Sequence, residues 1–136
     1  MTRFFLSLDK AVHLVWKALD EGLGGEIFVR KCPSMKITDL ATAIAPSAKQ
    51  EIMGIRPGEK LHELMISEED AAHTVEFDDH YKIVPEIINR FRVNDYKAGG
   101  KPCAAGFCYT SGNNTEWMSV AEMQAWLKQE YSYEAV

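Results

Sequence analysis

The stretch Gly54-Ile55-Arg56-Pro57-Gly58-Glu59-Lys60-Leu61-His62-Glu63 carries the most information in this chain. The run Glu51-Ile52-Met53-Gly54-Ile55 leading into it predicts a strand, and Pro57-Gly58 predicts a sharp turn at its end. An arginine at a strand end beside a turn can project into a crevice, where its planar fork matches two phosphate oxygens at once. Glu59, three residues on, is placed to accept hydrogen bonds from sugar or ribose hydroxyls. The plainer reading makes Arg56 a surface arginine and Glu59 and Lys60 an ordinary solvated pair. Leu61 to Met65 predicts a short helical turn, and His62 within it either approaches a ligand or bonds locally.

Upstream, a helix is predicted from Ile37 to Ile44, with Ile37, Leu40, Ala41 and Ile44 on one face and Pro46 ending it. Glu26-Ile27-Phe28-Val29 reads as a short strand. Ser7 is a helix cap with Asp9 in the first turn. Leu8, Ala11, Val12, Val15, Trp16 and Leu19 then follow the spacing of one buried helix face, and Gly22, Gly24 and Gly25 stop the helix. Arg3, just before this helix, is the second basic position of interest and carries the same two readings as Arg56.

Downstream, Val75, Phe77, Tyr81, Ile83 and Val84 predict a strand within Thr74 to Pro85. From Asn94 to Gly112 the glycines and Pro102 predict loops with short extended pieces. Ser119-Val120-Ala121-Glu122 is a capping box, followed by a helix with Val120, Met123 and Leu127 on one face and Trp126 beside them. The pattern is mixed α/β. It predicts a single domain over residues 1–136, with a loop-rich tail over 94–136 that ends in a helix at about 119–130. No Gly-rich turn of the GxGxxG kind occurs, so nothing here resembles the strand-to-helix turn that holds a dinucleotide.

Composition narrows the partners. Hydrophobic residues make up 46% and charged residues 26%, which suits a globular domain. The net charge of −5 provides no general attraction to nucleic acid or anionic membrane, so a bound anion needs a local cluster of positive groups. Three cysteines without a CxxC pair indicate neither a disulfide framework nor a zinc site, and point to reduced thiols in the cytoplasm. The apolar start is broken by Asp9 and Lys10, too early for a signal peptide core or a membrane span. Asp78-Asp79-His80 holds metal-ligand residue types, but neighbours on a strand face opposite ways. Cys108 lacks an identifiable base, and Asn113-Asn114-Thr115 matches a glycosylation sequon.

Four blocks in order carry a family resemblance. They are Met1-Thr2-Arg3-Phe4 with Ser7 to Val12, Gly25 to Val29 with Ser34 to Ala41, Gly54 to Glu63, and Tyr109 to Val120. Together they resemble the soluble, inverting UDP-N-acetylglucosamine 4,6-dehydratases of the extended short-chain dehydrogenase/reductase superfamily. The resemblance implies the substrate-binding C-terminal lobe of such an enzyme, without its N-terminal Rossmann domain. It implies that Arg3 and Arg56 grip the diphosphate of a UDP-sugar and that Glu59 lies near the ribose, with Thr2 and Lys60 beside them. It implies NADP or NAD in the full-length family, with none bound by this chain. The family's Tyr-x-x-x-Lys pair does not occur: Tyr81, Tyr96, Tyr109, Tyr131 and Tyr133 all lack a lysine four positions later. Met1 matches an internal methionine of the motif, so the chain is expected to be a fragment, split-gene product or separate module. Its expected role lies in pseudaminic acid or surface polysaccharide synthesis. Its expected partners are a UDP-sugar, held weakly, and either a Rossmann-domain chain or a second copy of itself, with no nucleic acid and no membrane.

Overall fold

The computed structural model describes residues 1–85 and 93–131, and only the backbone of Val93. The last residues of the expected 94–136 tail lie outside it. The elements in chain order are β1 (Thr2–Phe4), α1 (Leu8–Glu21), β2 (Ile27–Arg30), β3 (Ser34–Lys36), α2 (Ile37–Ile44) and β4 (Leu64–Ile66). After a short 3-10 turn (Asp70–His73) come β5 (Thr74–Glu76), β6 (His80–Ile83), α3 (Val93–Lys97), β7 (Lys101–Pro102), β8 (Tyr109–Thr110) and α4 (Val120–Tyr131). The fold is mixed α/β. The chain divides into two compact units: Met1–Phe5, Cys32–Glu63 and Thr110–Val136 form one, and Leu6–Lys31 with Leu64–Tyr109 form the other.

In the first unit β1 pairs antiparallel with β3, Arg3 opposite Met35. α2 follows β3 directly, so Met35 on the strand and Ala43 on the helix share a core with Met123 of α4. All three are fully buried. Phe5, Leu40, Met118, Val120, Trp126 and Leu127 pack around them. Burying side chains of methionine size contributes about 1.5–3 kcal/mol each. The capping box forms as its sequence predicts. Ser119 Oγ accepts the Glu122 N–H at 3.2 Å, and the Glu122 carboxylate accepts the Ser119 N–H at 2.7 Å. The side-chain and backbone hydrogen bonds from Ser119 hold the Glu122 carboxyl below its ordinary range. Asn114 fastens the approach to α4 by donating from Nδ2 to the Cys32 carbonyl at 2.7 Å and to Ser34 Oγ at 3.0 Å.

The second unit is built on a four-stranded antiparallel sheet in the order β2-β6-β5-β7. The predicted strand over Thr74 to Pro85 is two strands. They fold back at Asp78-Asp79, where the Phe77 N–H bonds the His80 carbonyl at 2.9 Å. Val75, Val84 and Tyr96 form its core, with Phe77 against them. Gly100 is required by packing, since a Cβ there would sit 2.3 Å from Val75 Cγ1. α1 begins at Ser7, which accepts the Lys10 N–H, and ends at Gly22.

Three expectations from the sequence fail. Residues 51–55 form no strand: they pair with no ladder, and Ile52 and Met53 are 87% and 90% exposed. Leu61 to Met65 forms no helical turn, because Leu64–Ile66 is extended as β4. The apolar stripe of α1 is not buried: Leu8, Val12, Val15, Trp16 and Leu19 are all exposed, and the helix sits on its unit through Ala11, Leu14, Lys17 and Ala18, each half-buried. No helix among the described residues is long and apolar enough to cross a membrane.

Candidate functional site

The residues singled out from the sequence fall along two neighbouring pieces of the first unit, β1 and the segment 56–63. The Pro57-Gly58 turn forms as its sequence predicts. Gly58 takes φ +84°, and the Glu59 N–H bonds the Arg56 carbonyl at 3.1 Å. Proline fixes the first corner, and glycine alone takes the second without strain. The Glu59 carboxylate closes the turn from the other side, accepting the Arg56 N–H at 2.9 Å. The backbone around Arg56 is therefore locked, while its side chain is exposed and makes no ion pair or hydrogen bond with the described residues.

The segment after the turn lies along β1, with the Thr2 N–H donating to the Leu61 carbonyl at 2.9 Å. Side chains of adjacent strand residues point to opposite faces, and here the alternation separates Thr2 from Arg3. Thr2 is 5% exposed, and its hydroxyl lies 2.8 Å from both His62 Nδ1 and Ser111 Oγ. Ser111, fully buried, accepts the Glu63 N–H at 2.8 Å and donates to the Thr2 carbonyl at 3.1 Å. The buried hydroxyls of Thr2 and Ser111 each have partners, as burial demands. Gly112 makes room for it, because a Cβ there would lie 2.7 Å from the His62 ring.

Arg3 runs along the other face. It donates from Nη1 to the Thr2 carbonyl at 2.6 Å and from Nη2 to the Lys60 carbonyl at 3.1 Å, and pairs through Nε with Glu63 at 3.2 Å. Three of its five N–H donors are thus engaged, leaving two. The two sets join at Glu59-Lys60: the turn ends on Glu59, and Arg3 holds the carbonyl of the next residue. Arg3, Arg56 and Lys60 face Glu59 and Glu63 here, a local excess of one positive charge in an acidic chain.

The structure assigns these residues unequal parts. Arg56 and Lys60 are exposed, Arg3 is partly committed, Glu59 closes a turn, and the Thr2 hydroxyl is shut inside a knot. Sequence reading missed Ser111 and Glu63. Ser111 sits in a block that carries the family resemblance, but nothing local marks it as the partner of a residue 109 positions away.

A second charged cluster lies in the other unit. Asp79 accepts bonds from Lys17 at 3.2 Å and His80 Nδ1 at 2.8 Å and pairs with Arg30. Partial burial pushes its carboxyl up. The hydrogen bonds from His80 and Lys17 and the charges of Arg30 and Lys17 outweigh that and hold it well below the usual carboxylate range. His80 is stacked between Phe28 and Phe77, at 5.4 and 4.7 Å between ring centroids. Asp79 is therefore saturated by its own cations. No group of three metal-ligating side chains occurs among the described residues.

Taken with this geometry, comparison defines the class. The chain belongs to the polysaccharide biosynthesis protein family, whose model matches residues 1–85. Among curated relatives, the UDP-N-acetylglucosamine 4,6-dehydratase (inverting) of Campylobacter jejuni is 47% identical over 128 residues, covering 90% of this chain and 38% of the relative. The UDP-glucose 4-epimerase of Rickettsia canadensis is 34% identical over 91% of this chain and 37% of its own length. The chain thus spans somewhat over a third of the curated relatives it matches. Among solved structures, Pen from Bacillus thuringiensis superposes with a TM-score of 0.76 at 24% identity, over 96% of this chain and 39% of that one, a likeness of fold.

Proposed function

We propose that this chain is the UDP-sugar-binding, C-terminal lobe of an inverting UDP-N-acetylglucosamine 4,6-dehydratase serving surface polysaccharide or pseudaminic acid synthesis. The 47% identity across 90% of the chain to a protein of that name carries the reading. The epimerase relatives support the coarser part of it, since their names also specify a UDP-hexose. In this reading Arg56, presented by a locked turn, meets the diphosphate together with Lys60 and the two unengaged N–H groups of Arg3. Glu59 and Thr2 act as positioning residues: one closes the turn that aims Arg56, the other anchors the strand that carries Arg3.

The full-length family uses NADP or NAD. The residues present do not fit that group. The ladders β1–β3, β2–β6, β5–β6 and β5–β7 are antiparallel, and no Gly-rich turn opens a helix after any of these strands. No hydride or proton step is therefore assigned to this chain, and its role is to bind and orient the nucleotide.

Titration of UDP into the labelled protein, followed by NMR, tests this. Shifts are expected at residues 56–60 and in β1, at millimolar UDP. A charge-assisted bond contributes about 1.5–3 kcal/mol where well formed, so Arg56→Ala should weaken binding on the order of tenfold or more. Equal shifts in wild type and variant would remove Arg56 from the site. No shift in the wild type would remove the reading.

A further inference from the structure

Two pairs of side chains join β1 to the end of the segment 56–63, all within the first unit. The Thr2 hydroxyl meets His62 Nδ1 at 2.8 Å, and Arg3 Nε meets the Glu63 carboxylate at 3.2 Å. A fixed backbone delivers that carboxylate. The Glu63 N–H donates to Ser111 Oγ at 2.8 Å, and the Glu63 carbonyl accepts the Ser111 N–H at 2.8 Å. Ser111 is fully buried, so Glu63 reaches Arg3 from a clamp anchored in the unit's interior.

The ion pair adds little to stability, because its side chains are 26% and 40% exposed and water screens such charges. Its effect is on direction. A guanidinium carries its donors in one rigid plane. The carbonyls of Thr2 and Lys60 hold Nη1 and Nη2 of Arg3, two points about which that plane can still tilt. The Glu63 contact at Nε is the third point, and it stops the tilt. The two carbonyls belong to the main chain and survive any side-chain substitution, so Glu63 is the member of the set that depends on residue type. We propose that Glu63 is a positioning residue for the diphosphate, acting through Arg3, a role that rests on the UDP-sugar reading above. It holds the guanidinium so that the two unengaged N–H groups meet a phosphate already in place. A side chain immobilised beforehand spares the ligand the cost of ordering it. The same carboxylate repels an anion by its charge, so orientation and repulsion come from one group.

Glu63→Gln and Glu63→Ala separate the two effects. Both remove the charge, but only glutamine keeps an oxygen that can accept from Arg3 Nε. Glu63 is half-buried and its clamp on Ser111 uses the backbone alone, so both variants keep the fold. The probe is UDP-N-acetylglucosamine, titrated into the labelled full chain and followed by NMR. Glu63→Ala should bind about two- to tenfold more weakly than Glu63→Gln, the range expected for freeing one long side chain. In an Arg3→Ala background the two Glu63 variants should bind alike, because the residue through which Glu63 acts is gone. Without ligand, the Arg3 Nε–H resonance should be protected from exchange with water in wild type and Glu63→Gln, and lose that protection in Glu63→Ala. This signal carries the test by itself where Arg3→Ala abolishes binding. Equal affinity of the Gln and Ala variants beside a wild type that binds would overturn the positioning role and leave the UDP-sugar reading standing. So would a difference that persists without Arg3, or an Nε–H equally protected in all three forms. A wild type that shows no shift with the probe would remove the UDP-sugar reading and this role with it.

Discussion

Ser111 shows how much one buried hydroxyl holds in place. It ties the Glu63 N–H, the Thr2 hydroxyl and the Thr2 carbonyl into one knot. Ser111→Ala leaves the Glu63 N–H without its acceptor in a partly buried place, at an expected cost of about 1–3 kcal/mol, read from urea denaturation. The His62 ring resonances should move in the same variant, since Thr2 is then free to turn. Asp79 makes a second residue-scale prediction, with a sign. Its carboxyl is depressed in the folded state, so the stability it contributes is full above the ordinary carboxylate pKa of about 4. That stability is lost as pH falls through this value toward the folded one. The stability gap between wild type and Asp79→Asn should therefore be widest near neutrality and shrink steadily below about pH 4. A gap independent of pH would mean that the ion pairs with Lys17 and Arg30 contribute nothing.

Among the elements, α4 depends on its start and on one buried side chain. Ser119→Ala removes the cap and should cost about 0.5–2 kcal/mol. Met123→Ala opens a cavity in the core shared by α2 and α4 and should cost about 2–5 kcal/mol. Ile52→Ser, by contrast, alters a side chain 87% in water and should leave stability nearly unchanged. Denaturation of the three variants side by side checks the order. α2 explains the contrast. Its apolar residues divide, Leu40 packing on the Met35–Ala43–Met123 core and Ile37, Ala41 and Ile44 lining an open groove. A single predicted face thus serves two surroundings, and only one of them is dry.

For the whole molecule, the proposed role separates binding from turnover. The sequence contains neither the Gly-rich turn nor the Tyr-x-x-x-Lys pair, and the chain matches 38% of the length of its dehydratase relative. Incubation with UDP-N-acetylglucosamine and NADP is expected to give no 4-keto product above background, even where UDP binds. Turnover would mean that groups of this chain perform chemistry that the proposed role does not give them.

The features legible in the sequence are those whose causes lie within a few residues. Ser7 caps α1, Ser119 and Glu122 cap each other, and Pro57-Gly58 closes a turn, because a free N–H and its acceptor stand three positions apart in each. The extent of α2 from Ile37 to Ile44 followed from the same local rules. Tertiary structure decided the rest. β1 pairs with β3 across more than thirty residues, Ser111 reaches Thr2 across 109, and residues 51–55 have strand-like composition but no partner strand. An apolar stripe states which face of α1 avoids water, but not whether anything stands opposite it. Hydrophobic periodicity is a property of one helix, whereas burial is a property of two surfaces brought together.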